Sequence, residues 1–259
     1  MIHAGLGVAL LVAAAPWAGQ PESGKSLADL LDKGLPVFGI FSGDKTPEQG
    51  SRVTHQRHAD FVLYSMESGP FDIDAMQAYM KGMRDASGGS GALPLVLRIP
   101  PIREGLESTD QKVQQALESR VAGIVFPHLE SADEASFSVE VMGAAGWPRN
   151  PEGSSVNIII VEDRAGVANA PAIAATAGLG IMFAGPGDLR RAYEGDDKAI
   201  EEAIQTILAA CREADVVCGI TAGSHDIEER LRQGFRAIIV TERDPTETLA
   251  IGRKAGRRN

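Results

Sequence analysis

Eight short apolar segments, each followed by a stretch with helical periodicity, constrain the fold of this chain more than any other feature. Continuous apolar runs rich in β-branched residues are typical of parallel strands buried on both faces of a sheet. The eight predicted strands are LPVFGIF (35–41), DFVLYS (60–65), LPLVLRI (93–99), AGIVF (122–126), VNIIIVE (156–162), LGIMFA (179–184), DVVCGI (215–220) and RAIIV (236–240). Eight strands with a helix after each predict an α/β protein with the (β/α)8 TIM-barrel fold.

An open doubly wound sheet is the alternative α/β architecture. Such a sheet usually carries a glycine-rich phosphate-binding turn after its first strand. The corresponding stretch here, GIFSGDKTPEQ, lacks the G-x-G-x-x-G pattern. A chain of 259 residues also has the length of one barrel. We therefore predict a single (β/α)8 barrel domain over residues 23–259.

The first 22 residues differ in character from the rest of the chain. Residues 4–18, AGLGVALLVAAAPWA, are apolar and uncharged, and polarity rises sharply after them. The run is short for a membrane-spanning helix but has the length of the apolar region of a signal peptide, with small residues where cleavage would occur. We predict an export signal or membrane-proximal anchor over residues 1–22, which would make the protein periplasmic or secreted. The alternative is an apolar N-terminal segment docked on the barrel of a cytoplasmic protein.

The charge of the chain argues against a nucleic-acid partner. The net charge is −10, and nucleic-acid binding needs a basic face that displaces counterions. The basic residues near the C-terminus are interpreted as a solvated tail; they are Arg253, Lys254, Arg257 and Arg258.

Polar residues stand at the ends of several predicted strands, which is where barrels of this type carry out chemistry. The carboxyl ends of all eight strands meet at one face, so these side chains are expected to share one mouth. The polar candidates are Ser65, Glu67, Ser68, Arg98, His128, Glu162 and Asp188, and the turn Gly185-Pro186-Gly187 lies at the same face.

Glu162 and Asp188 predict a cation site. They follow consecutive strands, and paired strands lie about 4.8 Å apart. Two carboxylates at that spacing repel each other unless they share a proton or a cation, and oxygen ligands favour a hard ion such as Mg²⁺ or Mn²⁺. Arg98 would add a fixed positive donor for a carboxylate or an enolate oxygen. Taken alone, Asp188 could be a helix cap, Glu162 a salt-bridged rim residue and Arg98 a surface residue. Together they favour a functional site.

The turn after the sixth strand, Gly185-Pro186-Gly187, is the predicted substrate-binding segment. Glycines at its two ends would let backbone N–H groups come close to a substrate anion.

Several of these stretches resemble the HpcH/HpaI aldolase and citrate lyase family. The most specific is IIIVEDRAGVANAPAIAATAGLGIMFAGPGDLRRAYEG, residues 158–195, which is similar to the family's metal-binding stretch. Three further stretches are similar in the same order along the chain; they are ADFVLYSMESGP (59–70), LPLVLRIPP (93–101) and AGIVFPHLESADEA (122–135).

The resemblance implies a fold, a chemistry and roles for particular residues. Members are (β/α)8 barrels of the phosphoenolpyruvate/pyruvate-domain type, commonly hexameric homo-oligomers, that make or break C–C bonds beside a 2-oxo acid held on a divalent metal. Carried over position by position, Glu162 and Asp188 would be the metal ligands, with Mg²⁺, Mn²⁺ or Co²⁺ as the ion. Arg98 would stabilise the enolate, and Glu67 would order the metal's water shell.

Two departures from the family pattern affect the expected chemistry. Where aldolases of the family carry an Asp–His acid–base pair, this chain has Ser65 and Ser68, and a serine at its ordinary pKa cannot accept a proton at neutral pH. The family's long loop is also reduced here to about WPRNPEGSS (147–155). His128 faces the same mouth, where an imidazole could replace the lost base or bind the substrate; the alternative is a histidine bonded to a neighbouring loop.

The sequence leaves three functions open. The first is a metal-dependent carbon–carbon lyase, aldolase-like, that acts on a 2-oxo acid or hydroxy acid through a metal-stabilised enolate. The second is a non-catalytic or regulatory barrel that binds a 2-oxo acid. The third is a metal-dependent hydrolase of an activated acid, with His128 or Glu67 as its base.

Overall fold

The structure is a computed structural model, and it describes residues 26–56, 58–88 and 91–258. The segment predicted as a signal peptide, residues 1–22, lies outside the described residues. Within the described part of the chain, no helix combines the length and apolar character needed to cross a membrane.

The described residues form nine parallel strands and eleven α-helices that alternate along most of the chain. The strands are β1 Val37–Phe41, β2 Phe61–Ser65, β3 Leu95–Arg98, β4 Gly123–Phe126, β5 Gly146–Trp147, β6 Ser155–Val161, β7 Ile181–Ala184, β8 Val217–Ala222 and β9 Ala237–Val240. The helices are α1 Leu27–Asp32, α2 Pro47–Val53, α3 Ile73–Ala86, α4 Leu106–Glu118, α5 Ala132–Val141, α6 Arg164–Ala168, α7 Ala170–Ala174, α8 Pro186–Ala192, α9 Asp197–Glu213, α10 Ile227–Gln233 and α11 Thr246–Ala255. Two 3₁₀ turns span Ile102–Glu104 and Gly143–Ala145.

Eight of the strands close into a barrel, as predicted. Neighbours in the ring are hydrogen-bonded in the order β1-β2-β3-β4-β6-β7-β8-β9, and β9 pairs back with β1. The ninth strand, β5, is two residues long and pairs with the start of β6. Its second residue, Trp147, begins the segment WPRNPEGSS, which the family resemblance implied to be a shortened loop. The fold is therefore the (β/α)8 barrel.

The barrel interior is a packed apolar core. Glycines on two strands make room for phenylalanine rings on the strands beside them, since a Cβ at Gly39 would lie 2.2 Å from Phe61 and one at Gly219 would lie 2.3 Å from Phe183. Helix α1 closes the amino-terminal end of the barrel with leucines that join the same cluster. The remaining cavity measures about 20 Å³ and is lined by apolar side chains, roughly the space of one water. The chemistry must therefore lie above this core.

Side-chain alternation carries polar residues to the top of that core. Leu63, Val96 and Ile160 all belong to the interior cluster, and successive side chains of a strand point to opposite faces. Two residues further along the same strands, alternation directs Ser65, Arg98 and Glu162 into the mouth. Polar side chains therefore begin where the apolar interior ends.

The C-terminal arginines are docked on the barrel, so the prediction of a solvated tail is wrong for two of its four residues. The carboxylate of Asp60, just before β2, pairs with Arg253 at 2.9 Å and with Arg258 at 2.5 Å. The same carboxylate accepts the N–H of Phe38, and Arg258 also donates to the carbonyl of Pro36. Because the Asp60 side chain is only 6% exposed, its charge is compensated by these arginines rather than by water.

This ion-pair network predicts a large stability loss in Asp60→Asn. Removing one partner of a buried charge network leaves the other charges uncompensated, which typically costs about 3–5 kcal/mol. Urea unfolding measures the loss. The matched control is Asp85→Asn, which breaks the exposed Lys81–Asp85 pair (68% and 62% exposed) and should change stability by less than about 1 kcal/mol. Equal effects of the two substitutions would contradict the docking role of Asp60.

Candidate active site at the carboxyl ends of the strands

Ser65 and Arg98 are neighbours across β2 and β3, where they stand in register. Nε of Arg98 donates to Oγ of Ser65 at 2.9 Å, and Nη2 of Arg98 pairs with Oε2 of Glu67 at 2.9 Å. The Glu67 backbone N–H also donates to Ser65 Oγ, at 3.4 Å. Ser65 therefore orients the guanidinium and the loop that carries Glu67, a role that the sequence did not reveal.

His128 lies between two glutamates. Its Nε2 is 3.1 Å from Oε1 of Glu67, and its Nδ1 is 3.1 Å from Oε1 of Glu162. The backbone N–H of His128 donates to the same Glu162 oxygen at 3.0 Å. The sequence placed His128 in the mouth, but it did not predict that this side chain joins the two carboxylates.

The backbone of His128 explains why sequence reasoning missed this contact. Val125 faces the barrel interior, so strict alternation would send residue 128 outward. His128 instead has φ = 56°, in the left-handed region that non-glycine residues rarely adopt. This conformation breaks the alternation and turns the imidazole into the mouth, and no sequence pattern at Pro127-His128 signals it.

Glu162 is the most deeply buried charged group of the site, at 3% exposure. Burial is the main cause that raises the pKa of its carboxyl to about 7. The His128 backbone N–H and the Arg98 guanidinium lower this pKa, whereas the neighbouring carboxylates of Glu67 and Asp163 raise it. A carboxylate in this position is costly unless a cation compensates it.

Gly185 lies beside Glu162, and its lack of a side chain leaves room for the Glu162 carboxylate. Its N–H donates to the carbonyl of Val161 in the ladder between β6 and β7, so this N–H is already engaged. The expectation that Gly185 presents its N–H to a substrate anion is therefore wrong. A Cβ there would lie 2.5 Å from Glu162 Oε2, which only glycine avoids. Gly187, by contrast, faces open space in the first turn of α8, beside Pro186.

Asp188 stands in the same first turn, but its carboxylate points to another partner. It forms an ion pair with Arg191, one turn further along α8. The structure thus brings Glu67, Arg98, His128 and Glu162 into contact and leaves Asp188 paired elsewhere. The Arg191 side chain is 76% exposed, and an exposed ion pair of this kind contributes little energy, so it can be exchanged for another partner.

These residues fit a divalent cation. Oxygen or nitrogen atoms of Glu67, His128 and Glu162 lie within 4.8 Å of one another, the only such group of three acidic, histidine or cysteine residues in the described ranges. Carboxylate oxygens suit Mg²⁺ and Mn²⁺, and an imidazole nitrogen suits the first-row transition ions. The raised pKa of Glu162 also reflects burial of a charge that a cation would compensate. Asp188, whose carboxylate is paired with Arg191, is not part of this group.

Comparison with known proteins assigns the chain to a family. A sequence model of the HpcH/HpaI aldolase/citrate lyase family matches residues 38–242. The chain belongs to this family, whose members are lyases and aldolases. The hydroxypyruvate/pyruvate aldolase of Paraburkholderia phytofirmans is 25% identical over 234 residues, which cover 79% of this chain and 86% of that relative.

Solved structures agree on the fold. A family member from Burkholderia cenocepacia superposes with a TM-score of 0.71 at 23% identity, covering 89% of this chain and 97% of the other. A citrate lyase beta subunit from M. tuberculosis, complexed with oxaloacetate and magnesium, superposes with a TM-score of 0.60 at 19% identity, covering 86% and 97%. Both likenesses support the (β/α)8 barrel fold of this chain.

The burial of Glu162 predicts a pH-dependent gain of stability in Glu162→Gln, measured without added metal. The folded-state pKa of about 7 exceeds the ordinary value of 4.5, so the folded protein binds a proton in this range that the unfolded chain has lost. Wild-type stability contributed by this group therefore falls as pH rises from about 4.5 to 7. The substitution should have little effect near pH 4.5 and stabilise the protein by up to roughly 3 kcal/mol at pH 8.

Urea unfolding of both proteins at several pH values measures this difference. A difference that is constant from pH 4.5 to 8 would contradict the burial of an ionisable carboxyl at this position. Asp197→Asn is the control, since this carboxylate is 82% exposed and should produce no such trend.

Proposed function

We propose that the protein is a metal-dependent carbon–carbon lyase that acts on a 2-oxo acid through an enolate. One observation carries the proposal: Arg98, Glu67, His128 and Glu162 form a continuous polar network at the mouth of the barrel. This network combines the positively charged guanidinium of Arg98, a buried carboxylate and an imidazole. Groups of these kinds can stabilise an enolate and protonate it. Membership of the aldolase and lyase family supports the same chemistry.

The divalent ion would be held by Glu162 together with Asp188, as the family resemblance implies, with Glu67 as the neighbouring acidic group. Mg²⁺, Mn²⁺ and Co²⁺ all suit this donor set. Such an ion supplies Lewis-acid polarisation of the 2-oxo group. For Asp188 to contribute, its carboxylate must leave Arg191, which a weak exposed ion pair permits.

Arg98 is proposed to bind the substrate oxygen that becomes negatively charged. Its guanidinium is fixed before substrate arrives, because Ser65 holds Nε and Glu67 holds Nη2. A donor that is already oriented stabilises developing charge without reorganisation. The serine that replaces the family's aspartate thus gives up proton transfer and keeps a role in orienting Arg98.

His128, paired with Glu67, is proposed as the acid–base group. In aldol cleavage it would take the proton of the C4 hydroxyl as the C3–C4 bond breaks and the electron pair passes to the enolate. A proton then returns to C3, and the aldehyde leaves. Loss of CO₂ from oxaloacetate needs no removal of a hydroxyl proton, so it depends less on this imidazole.

A second candidate is a 2-oxo-acid-binding protein without catalysis. The observation in its favour is that Ser65 is committed to Arg98, while the exposed Ser68 offers no base either, so the family's acid–base pair is absent. The substrate in either case is a small 2-oxo acid or hydroxy acid.

We also propose that the protein forms a homo-oligomer, by resemblance to the family, and that residues 1–22 direct its export.

The proposal predicts metal-dependent decarboxylation of oxaloacetate alongside weak aldol cleavage. Activity should appear with Mg²⁺, Mn²⁺ or Co²⁺ and disappear with a chelator, and Arg98→Ala should abolish it. His128→Gln should keep most decarboxylation but slow hydrogen–deuterium exchange at C3 of pyruvate, which needs a base, by about 10²- to 10⁴-fold. Pyruvate formation and proton NMR in D₂O measure the two reactions.

The control is Arg232→Gln, an exposed residue of α10, which should leave both reactions unchanged. Equal loss of both reactions in His128→Gln would assign His128 to substrate binding. Binding of Mn²⁺ with neither reaction on any 2-oxo acid would contradict the lyase proposal and favour the binding protein.

A further inference from the structure

The carbonyl side of His128 is held by a residue outside the network described above. Arg103, in the 3₁₀ turn that follows β3, donates from Nη2 to the backbone carbonyl oxygen of His128. Its Nη1 pairs with Oε1 of Glu130 at 2.7 Å. One guanidinium thus joins the loop after β3 to the loop after β4.

The loop after β4 is also fixed directly after His128. The backbone N–H of Glu130 donates to Oε2 of Glu134, and Nδ2 of Asn169 donates to the carbonyl of Glu130, each at 2.7 Å. The N–H of Leu129 donates to the carbonyl of Ile160 at 3.0 Å. Arg103 therefore binds an otherwise anchored loop at His128, the residue within 127–130 that has a left-handed backbone.

The contact between Arg103 and the His128 carbonyl stabilises an unusual backbone conformation. With φ = 56°, His128 occupies a region that is unfavourable for a side chain with a Cβ, so surrounding contacts must maintain it. The N–H of His128 is held by Glu162, and its carbonyl is held by Arg103. Loss of either contact would let the peptide relax towards an ordinary conformation, in which alternation directs the imidazole away from the mouth.

We propose that Arg103 is a positioning residue for His128. It keeps the imidazole between Glu67 and Glu162 by fixing the left-handed peptide, and it does not contact the substrate. The inference rests on the proposed function of His128 as the acid–base group. A surface ion pair with Glu130 alone would have no such effect, because the Arg103 side chain is 44% exposed and such pairs contribute little.

The test separates the base-dependent reaction from the base-independent one. Arg103→Ala should slow deuterium exchange at C3 of pyruvate by about tenfold or more and leave metal-dependent oxaloacetate decarboxylation near the wild-type rate. Arg103→Lys, which keeps a donor, should recover part of the exchange rate. In a His128→Gln background, Arg103→Ala should cause no further loss, since coupled residues are not additive. Arg232→Gln again serves as the neutral control.

Two results would overturn the proposal. One is an equal loss of exchange and decarboxylation in Arg103→Ala, and the other is a full additional loss in the His128→Gln background. If the wild-type protein catalyses neither reaction, the proposed function fails by itself, and amide hydrogen exchange decides on Arg103. Reduced protection of the amides of residues 128–130 in Arg103→Ala would then support positioning, and unchanged protection would overturn it.

Discussion

The carboxylate of Glu162 occupies the point where the apolar interior of the barrel meets its polar mouth, and the other site residues are arranged around it. Burial raises its pKa to about 7, so the group is unfavourable as an isolated charge. The contacts around the carboxylate compensate for the cost of burying its charge. The N–H and imidazole of His128 face Oε1, and Arg98 contributes a compensating charge from β3. Gly185 leaves out the Cβ that would meet Oε2.

The barrel delivers these groups by the geometry of its strands. Ser65, Arg98 and Glu162 each lie two residues beyond an interior apolar side chain, so the alternation that packs the core also fills the mouth with polar groups. The loops after the strands bring in site residues that the alternation of side chains along a strand does not place in the mouth. Glu67 follows β2 and bridges Arg98 to His128, and the left-handed peptide at His128 brings in the imidazole.

The parts that the sequence predicts are those governed by period and strand order. Eight apolar runs are sufficient for the barrel, and strand ends are sufficient to place Arg98 and Glu162 at one mouth. The parts that it misses depend on one torsion angle or on competition between partners. The positive φ of His128 leaves no sequence pattern. The carboxylate of Asp188 pairs with Arg191, which the sequence did not predict. Asp60 binds two arginines that lie 193 and 198 residues further along the chain. The role of Gly185 likewise reverses once its N–H is engaged by Val161.

We propose that Glu162 anchors a divalent cation, and calorimetric titration with Mn²⁺ measures this binding directly. The wild-type protein should bind one ion. Glu162→Gln, which keeps the shape of the side chain, should weaken binding by at least about tenfold, and Asp188→Asn and Glu67→Gln then rank the remaining donors. Asp197→Asn, a change at an exposed acid on α9, should bind as tightly as wild type. Equal Mn²⁺ affinity in Glu162→Gln and wild type would show that Glu162 does not bind the cation.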